Sequence, residues 1–509
     1  MKRNFKYIGC LAVSVAMFTS CGEGANTINT TVEADVEANN NASNDNNANL
    51  AKANEYLAEA MDVVATGGDN HKSHDDFGFS ALNIVSDLSG EDVAYSNNEM
   101  FFCYDYDLDN RDGSYRRTIN TWNQLYEIIE KANSAIEILK TLPESKEARI
   151  AKGQAYTARA MSYFWLINLW QQPLSVNPDA AGVPLVTDEV NRQERVSVKE
   201  IYEQILSDIN LGYNNLCGYG YVNGKGSLSE YAAAGYYARI LMFTGDYTKA
   251  ADYAERAIAG GTLNCYSDMM SGFNSLSMPE AIYGVEVTSA NSTGYASFFS
   301  HVDAYMNGYG GNEGYRKLVS SDLYDKIADN DVRKQWFGLN EEYNTLGVDF
   351  GYEIVRGFEK YIPCKFRDSS MCGTGSAYSS DLIFMRVAEM YLIAAEAHYL
   401  NGNQNKAREF LNELISTRID GYSFQGSGKE LYDEICLQKR IELWMEGSRL
   451  FDIKRRNESV DRSNGIDHAT NLESVNAVAY TGHDYRLIYH IPSEEIASNP
   501  YITIADDNK

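Results

Sequence analysis

Apolar positions recur at helical spacing through most of the chain. From residue 50 onward Ala53, Leu57, Ala60, Met61 and Val64 fall at i, i+4, i+7, i+8 and i+11, the stripe of a helix with one buried face. Trp122, Leu125, Ile129, Ala132 and Ile136 repeat that stripe and stop near Pro143. Residues 151–170 form a third long stretch, rich in alanine and aromatic side chains, ended by Pro173. Between residues 261 and 378 the pattern changes. Gly, Ser, Asn and Tyr dominate, and apolar runs such as 281–285 are short. This region predicts irregular structure with small strands.

One segment occurs twice. Residues 241–250 (LMFTGDYTKA) overlay on 398–407 (HYLNGNQNKA), with Gly245 matching Gly402. An alanine-rich helix precedes each glycine, Ala238 matching Ala395. A buried face follows each: Ala250, Ala254, Ala257 and Ile258 against Ala407, Leu411, Leu414 and Ile415. Glycine supplies the positive φ that ends the first helix, and small residues let the pair approach closely. A helix, a glycine turn and a second helix make the tetratricopeptide unit. Because the copies lie far apart, the array is interrupted by long insertions. A helical scaffold that holds aromatic loops is a binding design, since loops on a rigid frame carry function.

The N-terminus reads as an address followed by an anchor. Lys2, Arg3 and Lys6 precede an apolar run at 8–17, too short to span a bilayer, so residues 1–20 predict a secretory signal peptide. Thr19 and Ser20 before Cys21 resemble a lipobox, which makes Cys21 the expected lipid attachment site; acyl chains there would hold the domain on a membrane. Residues 21–50 carry acidic side chains and an asparagine-rich run at 39–49, which predicts a flexible tether ahead of one domain at 51–509. No later apolar stretch approaches the length of a membrane span.

Composition narrows the partners. The 509 residues include 44 Lys and Arg against 71 Asp and Glu, a formal charge of −27 that repels phosphate backbones and excludes nucleic acid as a partner. Seven His and no paired CxxC give no zinc scaffold, and eight Cys are too few for a disulfide-built fold. Tyrosine is over-represented, 37 against 19 Phe and 5 Trp, which suits wet binding surfaces as well as cores.

Several motifs invite a chemical reading. Arg440, Glu442, Glu446, Arg449, Asp452 and Arg456 form a ladder at three- and four-residue spacing. Glu442 and Glu446 could pair as acid and base, but the neighbouring cations favour a structural ion-pair network. Asp105, Asp107 and Asp109 mimic the start of an EF-hand loop, yet Asn110 replaces its glycine and Arg116 its final glutamate. His71, His74, Asp75 and Asp76 lack a third ligand motif and read as a polar loop. Cys364 and Cys372 could close a small disulfide loop in an oxidising location.

Taken together, further segments resemble the SusD/RagB family of outer-membrane nutrient-binding lipoproteins. They are the lipobox, 86–93 (SDLSGEDV), 122–133 (WNQLYEIIEKAN), 155–164 (AYTARAMSYF), 381–397 (DLIFMRVAEMYLIAAEA), 439–452 (KRIELWMEGSRLFD) and 491–500 (IPSEEIASNP). The resemblance implies a mostly α fold, with tetratricopeptide-like helix pairs packed against a long irregular subdomain that contains short strands. It implies a lipid-anchored protein on the outer membrane, facing the exterior. It also implies a SusC-like TonB-dependent β-barrel transporter as partner and an oligosaccharide as ligand, with a peptide as the alternative. No cofactor, metal or catalytic residue is expected; an α-helical glycoside hydrolase or lyase is the remaining enzymatic alternative.

The segment 101–122 is the strongest ligand candidate. It interleaves Tyr104, Tyr106 and Tyr115 with Asp107, Asp109, Asn110 and Arg111, flat rings for the C–H faces of a sugar and polar groups for its hydroxyls. The later insertion offers Tyr305, Tyr309, Tyr315 and Trp336. Tyr104, Tyr106, Asp109, Asn110, Arg111 and Trp336 are the expected contacts, and Trp122, on a helical stripe, is expected in the core.

Overall fold

A computed structural model describes residues 28–95, 101–109, 111–311, 315–338, 361–371, 375–463 and 478–508, with the backbone alone for 28–43. Cys21 and the signal segment lie outside the described residues. The chain divides into a unit Met1–Ala48 and a body Asn49–Lys509. The first helix, α1 (Ile28–Thr66), corrects the expected tether: residues 28–50 are helical. Alanines spaced through this asparagine-rich run let a helix propagate cheaply once a nucleus exists, and the apolar stripe from Ala53 to Val64 supplies one.

The body is built on helices. Following α2 (Gly78–Leu88) come α3 (Arg116–Thr141), α4 (Lys146–Trp170) and α5 (Val198–Leu216). The repeated segment gives α6 (Glu230–Thr244) with α7 (Tyr247–Ile258), and α8 (Val387–Leu400) with α9 (Gln404–Ile415). Both turns form as the sequence predicts. Gly245 and Gly402 take φ of 79° and 81°, and the next side chains, Asp246 and Asn403, cap α7 and α9 by accepting from the amides of Lys249 and Lys406. Ala238, Ala395, Ala250, Ala254, Ala257, Ala407, Leu411, Leu414 and Ile415 are all fully buried. Where α4 meets α5 the backbones nearly touch: a Cβ on Gly153 would lie 2.9 Å from the Gly212 carbonyl oxygen.

Strands are short and paired in twos, all antiparallel: β1 (Val93–Tyr95) with β5 (Lys317–Val319), β2 (Ala181–Val186) with β3 (Asn191–Ser197), β4 (Ala281–Val285) with β6 (Leu382–Arg386), and β7 (Ser459–Asp461) with β8 (Ala479–Thr481). The insertion thus holds small strands, one of them stitched to the helical scaffold through β6. A second core cluster joins the insertion, through Phe273, Phe298, Trp336 and Phe337, to Phe77 beside α2 and to Trp444.

The charged ladder is a buried network around α10 (Lys429–Glu442) and α11 (Arg449–Arg456). Glu442 accepts from Arg333, Arg386 and Arg418, three cations that the ladder itself does not contain. Arg386 also reaches Glu280 and Glu446, Lys365 pairs with Glu446, and Arg333 pairs with Asp331. Burial opposes the Glu442 charge, but the three guanidinium groups outweigh it and hold the carboxyl far below its usual range. A carboxylate so held cannot serve as a general acid near neutral pH. The ladder thus forms the structural ion-pair network that its spacing favoured over an acid–base pair.

Candidate ligand-binding surface

Four separate stretches bring aromatic rings to one surface: His74 before α2, Phe101 after β1, Tyr295, Tyr309 and Tyr315 from the insertion, and Tyr378 before β6. Phe101 and His74 lie parallel, with ring centroids 6.2 Å apart. Tyr309 meets Phe101 edge-on at 4.8 Å, Tyr295 at 4.9 Å and Tyr315 at 5.5 Å. Tyr295 continues the group to Tyr378 at 6.1 Å. His74 and Tyr295 are exposed and the other four rings are half-buried, so the group leaves ring surface open to solvent.

The support beneath is rigid. His301, fully buried, stacks on Tyr309 at 4.5 Å with an interplanar angle of 16°, and on Phe77 at 5.4 Å from below. Its Nε2 donates to the carbonyl oxygen of His74 at 2.8 Å, which fixes the tautomer. Burial, assisted by Lys317, pushes this imidazole well below its ordinary range, so it stays neutral. The residues after His74 are clamped to the start of α3. Both carboxylate oxygens of Asp75 accept from Arg116 at 2.9 Å, and Asp75 and Asp76 accept from Arg117 at 2.9 and 3.1 Å. Burial works against the Asp75 charge, but Arg117 and Arg116 hold its carboxyl down to about 2. These acids are fully engaged with arginine.

Two of the rings sit on strained backbone. Phe101 and Tyr378 have φ of 58° and 62°, a left-handed conformation that non-glycine residues rarely adopt. Such strain collects where the surrounding structure fixes a side chain for a purpose. Burial pushes the Tyr309 phenol up to about 12, with Tyr295 and Tyr315 adding to the shift, so its hydroxyl keeps its proton at neutral pH. The surface offers stacking faces, neutral hydroxyls and backbone polar groups. Among the described residues no cluster of His, Cys, Asp or Glu could hold a metal.

The expected contacts divide. Tyr104 is 47% exposed, and Asp109 is exposed beside it. Asn110 lies outside the described residues. Tyr106 is corrected to the core: the one-turn helix Cys103–Tyr106 turns it inward, where Arg462 lies 4.2 Å over its ring. Arg111 is corrected likewise, being buried with Nη2 donating to Ser89 Oγ at 3.1 Å. Trp336 is 1% exposed and donates Nε1 to the Met269 carbonyl oxygen, so it fills the second core cluster and does not face solvent. Tyr305 is buried too, whereas Tyr309 and Tyr315 join the surface group. Trp122 is buried as its stripe predicts. Cys364 is a buried free thiol, its Sγ donating to the Gly338 carbonyl oxygen; Cys372 lies outside the described residues. Sequence reasoning missed His74, Tyr295 and Tyr378 as ring donors. The available signal was tyrosine next to small polar residues, as in the Ser292-Thr293-Gly294-Tyr295 run.

The helical-repeat fold with loop-borne rings defines a class of binding scaffold, and comparison with known proteins places the chain within it. Residues 278–505 match the model of the SusD family, and residues 24–242 match one described as "Starch-binding associating with outer membrane". The chain belongs to the SusD-like family. It is 24% identical over 419 residues to SusD-like protein P2 of Formosa agariphila, covering 74% of this chain and 78% of that one. Among solved structures, a SusD-like carbohydrate binding protein from Bacteroides vulgatus aligns with a TM-score of 0.75 at 22% identity, over 90% of this chain and 98% of that one. Surface glycan-binding protein A from Bacteroides thetaiotaomicron, in complex with laminarihexaose, aligns with a TM-score of 0.66 at 16% identity, over 90% of this chain and 98% of that one.

Proposed function

We propose that this chain is a non-enzymatic receptor, anchored by lipid at Cys21 to the outer membrane and facing outward. It captures an oligosaccharide on the His74–Phe101–Tyr295–Tyr309–Tyr378 surface and delivers it to a SusC-like TonB-dependent transporter. The observation that carries this reading is the ring cluster itself: six aromatic or imidazole side chains from four chain segments, braced from beneath and open above. Sugars present apolar C–H faces that stack on such rings, while phenolic hydroxyls and loop backbone groups meet their hydroxyls. The glycan-bound structural relative supports the ligand class, and the membrane description of the matching family supports the location. Tethering beside the transporter would make transfer effectively intramolecular, so modest affinity suffices.

Electrophoresis of the purified body through gels containing different polysaccharides tests the ligand class. Retardation by at least one glycan supports the reading. Binding of peptides alone would assign the chain to the peptide-binding alternative. Release of reducing sugar would contradict the non-enzymatic role.

A further inference from the structure

Two large groups of buried charges in this protein are internally paired. Around Glu442, the cations Arg333, Lys365, Arg386 and Arg418 meet the carboxylates of Asp331, Glu280, Glu442 and Glu446. Around α11, Lys439, Arg440, Arg449, Arg455 and Arg456 meet Glu91, Asp92, Glu396, Asp452 and Glu458. Arg111, Lys454 and Arg462 are 3%, 0% and 0% exposed, yet none of the three forms an ion pair among the described residues.

Two of the three are answered by helix ends. Lys454 donates to the carbonyl oxygens of Asn168 and Gln171 at the C-terminus of α4. Arg462 donates to those of Leu88 and Gly90, at and just beyond the C-terminus of α2, and to that of Tyr106. Helix C-termini carry partial negative charge, so these cations have partners in kind. Arg111 has none. Its Nη2 reaches Ser89 Oγ, but among the described residues Nε and Nη1 are buried without a hydrogen-bond partner, and so is the hydroxyl of Tyr489, over whose ring the guanidinium lies at 5.2 Å. A buried guanidinium with two idle donors beside a second cation and an idle hydroxyl is an arrangement that demands negative charge. Burial, with Arg111 adding to the shift, pushes the Lys454 ammonium down to about 7.

We propose that Arg111 holds a small monovalent inorganic anion of the halide class in the buried compartment it shares with Tyr489. The anion would accept from guanidinium N–H and phenolic O–H donors, which suits a spherical, weakly hydrated ion better than a basic oxyanion. The site would be structural. It joins the loop that follows Asp109 to the C-terminal segment, where the amide of His490 already donates to the Arg111 carbonyl oxygen at 2.8 Å.

Crystals of the wild-type protein soaked in sodium bromide test this directly. An anomalous peak within hydrogen-bonding reach of Arg111 Nε or Nη1 is expected; ordered water there with no bromide signal would overturn the proposal. In solution, replacing gluconate by chloride at constant ionic strength should raise the melting temperature by about 2 °C, and Arg111→Met should abolish that rise. A folded Arg111→Met protein that keeps the halide-dependent rise would also overturn it. Should Arg111→Met not fold, the wild-type bromide map decides alone.

Discussion

His301 lies under Tyr309 with ring centroids 4.5 Å apart and planes 16° from parallel, while its Nε2 holds the His74 carbonyl oxygen at 2.8 Å. One buried side chain therefore braces two members of the surface group. His301→Ala is expected to leave a cavity, lower stability by about 2–4 kcal/mol and loosen the ring surface together. Denaturant titration reads the first effect, and ligand titration of the folded fraction reads the second.

The same residue sets a pH dependence. Its imidazole is held well below the ordinary value of 6.5 in the folded state, so on acidification the unfolded chain takes up a proton that the folded chain refuses. Its contribution to stability is therefore lost as pH falls below about 6.5, with a slope of at most about 1.4 kcal/mol per pH unit. His301→Gln should flatten the stability profile between about pH 6.5 and 5. An unchanged slope in that window would contradict the assigned neutral state.

Glu442 is the hub of the buried network, and its loss would strand Arg333, Arg386 and Arg418. Glu442→Gln is expected to destabilise the protein by about 3–5 kcal/mol, measured by the shift in denaturant midpoint. If the variant instead kept full stability, the network would not be what holds the insertion to the scaffold.

Tyr104 and Tyr106 are two residues apart and behave oppositely. Tyr106→Ala removes a ring packed beneath Arg462 and should cost about 3–5 kcal/mol, whereas Tyr104→Ala should leave the melting temperature unchanged. Thermal unfolding of the two variants side by side checks this.

This pair also marks where sequence stopped being informative. The helices and both glycine turns were legible because period and turn chemistry are local: Gly245 and Gly402 must adopt positive φ, and the alanines must let helices meet. The buried network was legible as a ladder, but Glu442's partners Arg333, Arg386 and Arg418 come from elsewhere in the chain. The ring surface was the least legible. His74, Phe101, Tyr295 and Tyr378 lie on loops with no periodicity to say which way a side chain turns. In 101–111 a single helical turn sends Tyr104 outward and Tyr106 inward. Trp336 and Arg111 have side chains suited to a ligand, but burial places both away from the ring surface.

The most direct test of the account is isothermal titration of a retained oligosaccharide into the wild-type protein and into Tyr295→Ala and Tyr309→Ala. Weakening of binding by at least about tenfold, or 1.4 kcal/mol, is predicted for each variant. Tyr295→Ala, which removes an exposed ring, should keep the wild-type melting temperature. Undiminished affinity in both variants would place the ligand elsewhere on the molecule and contradict the central claim.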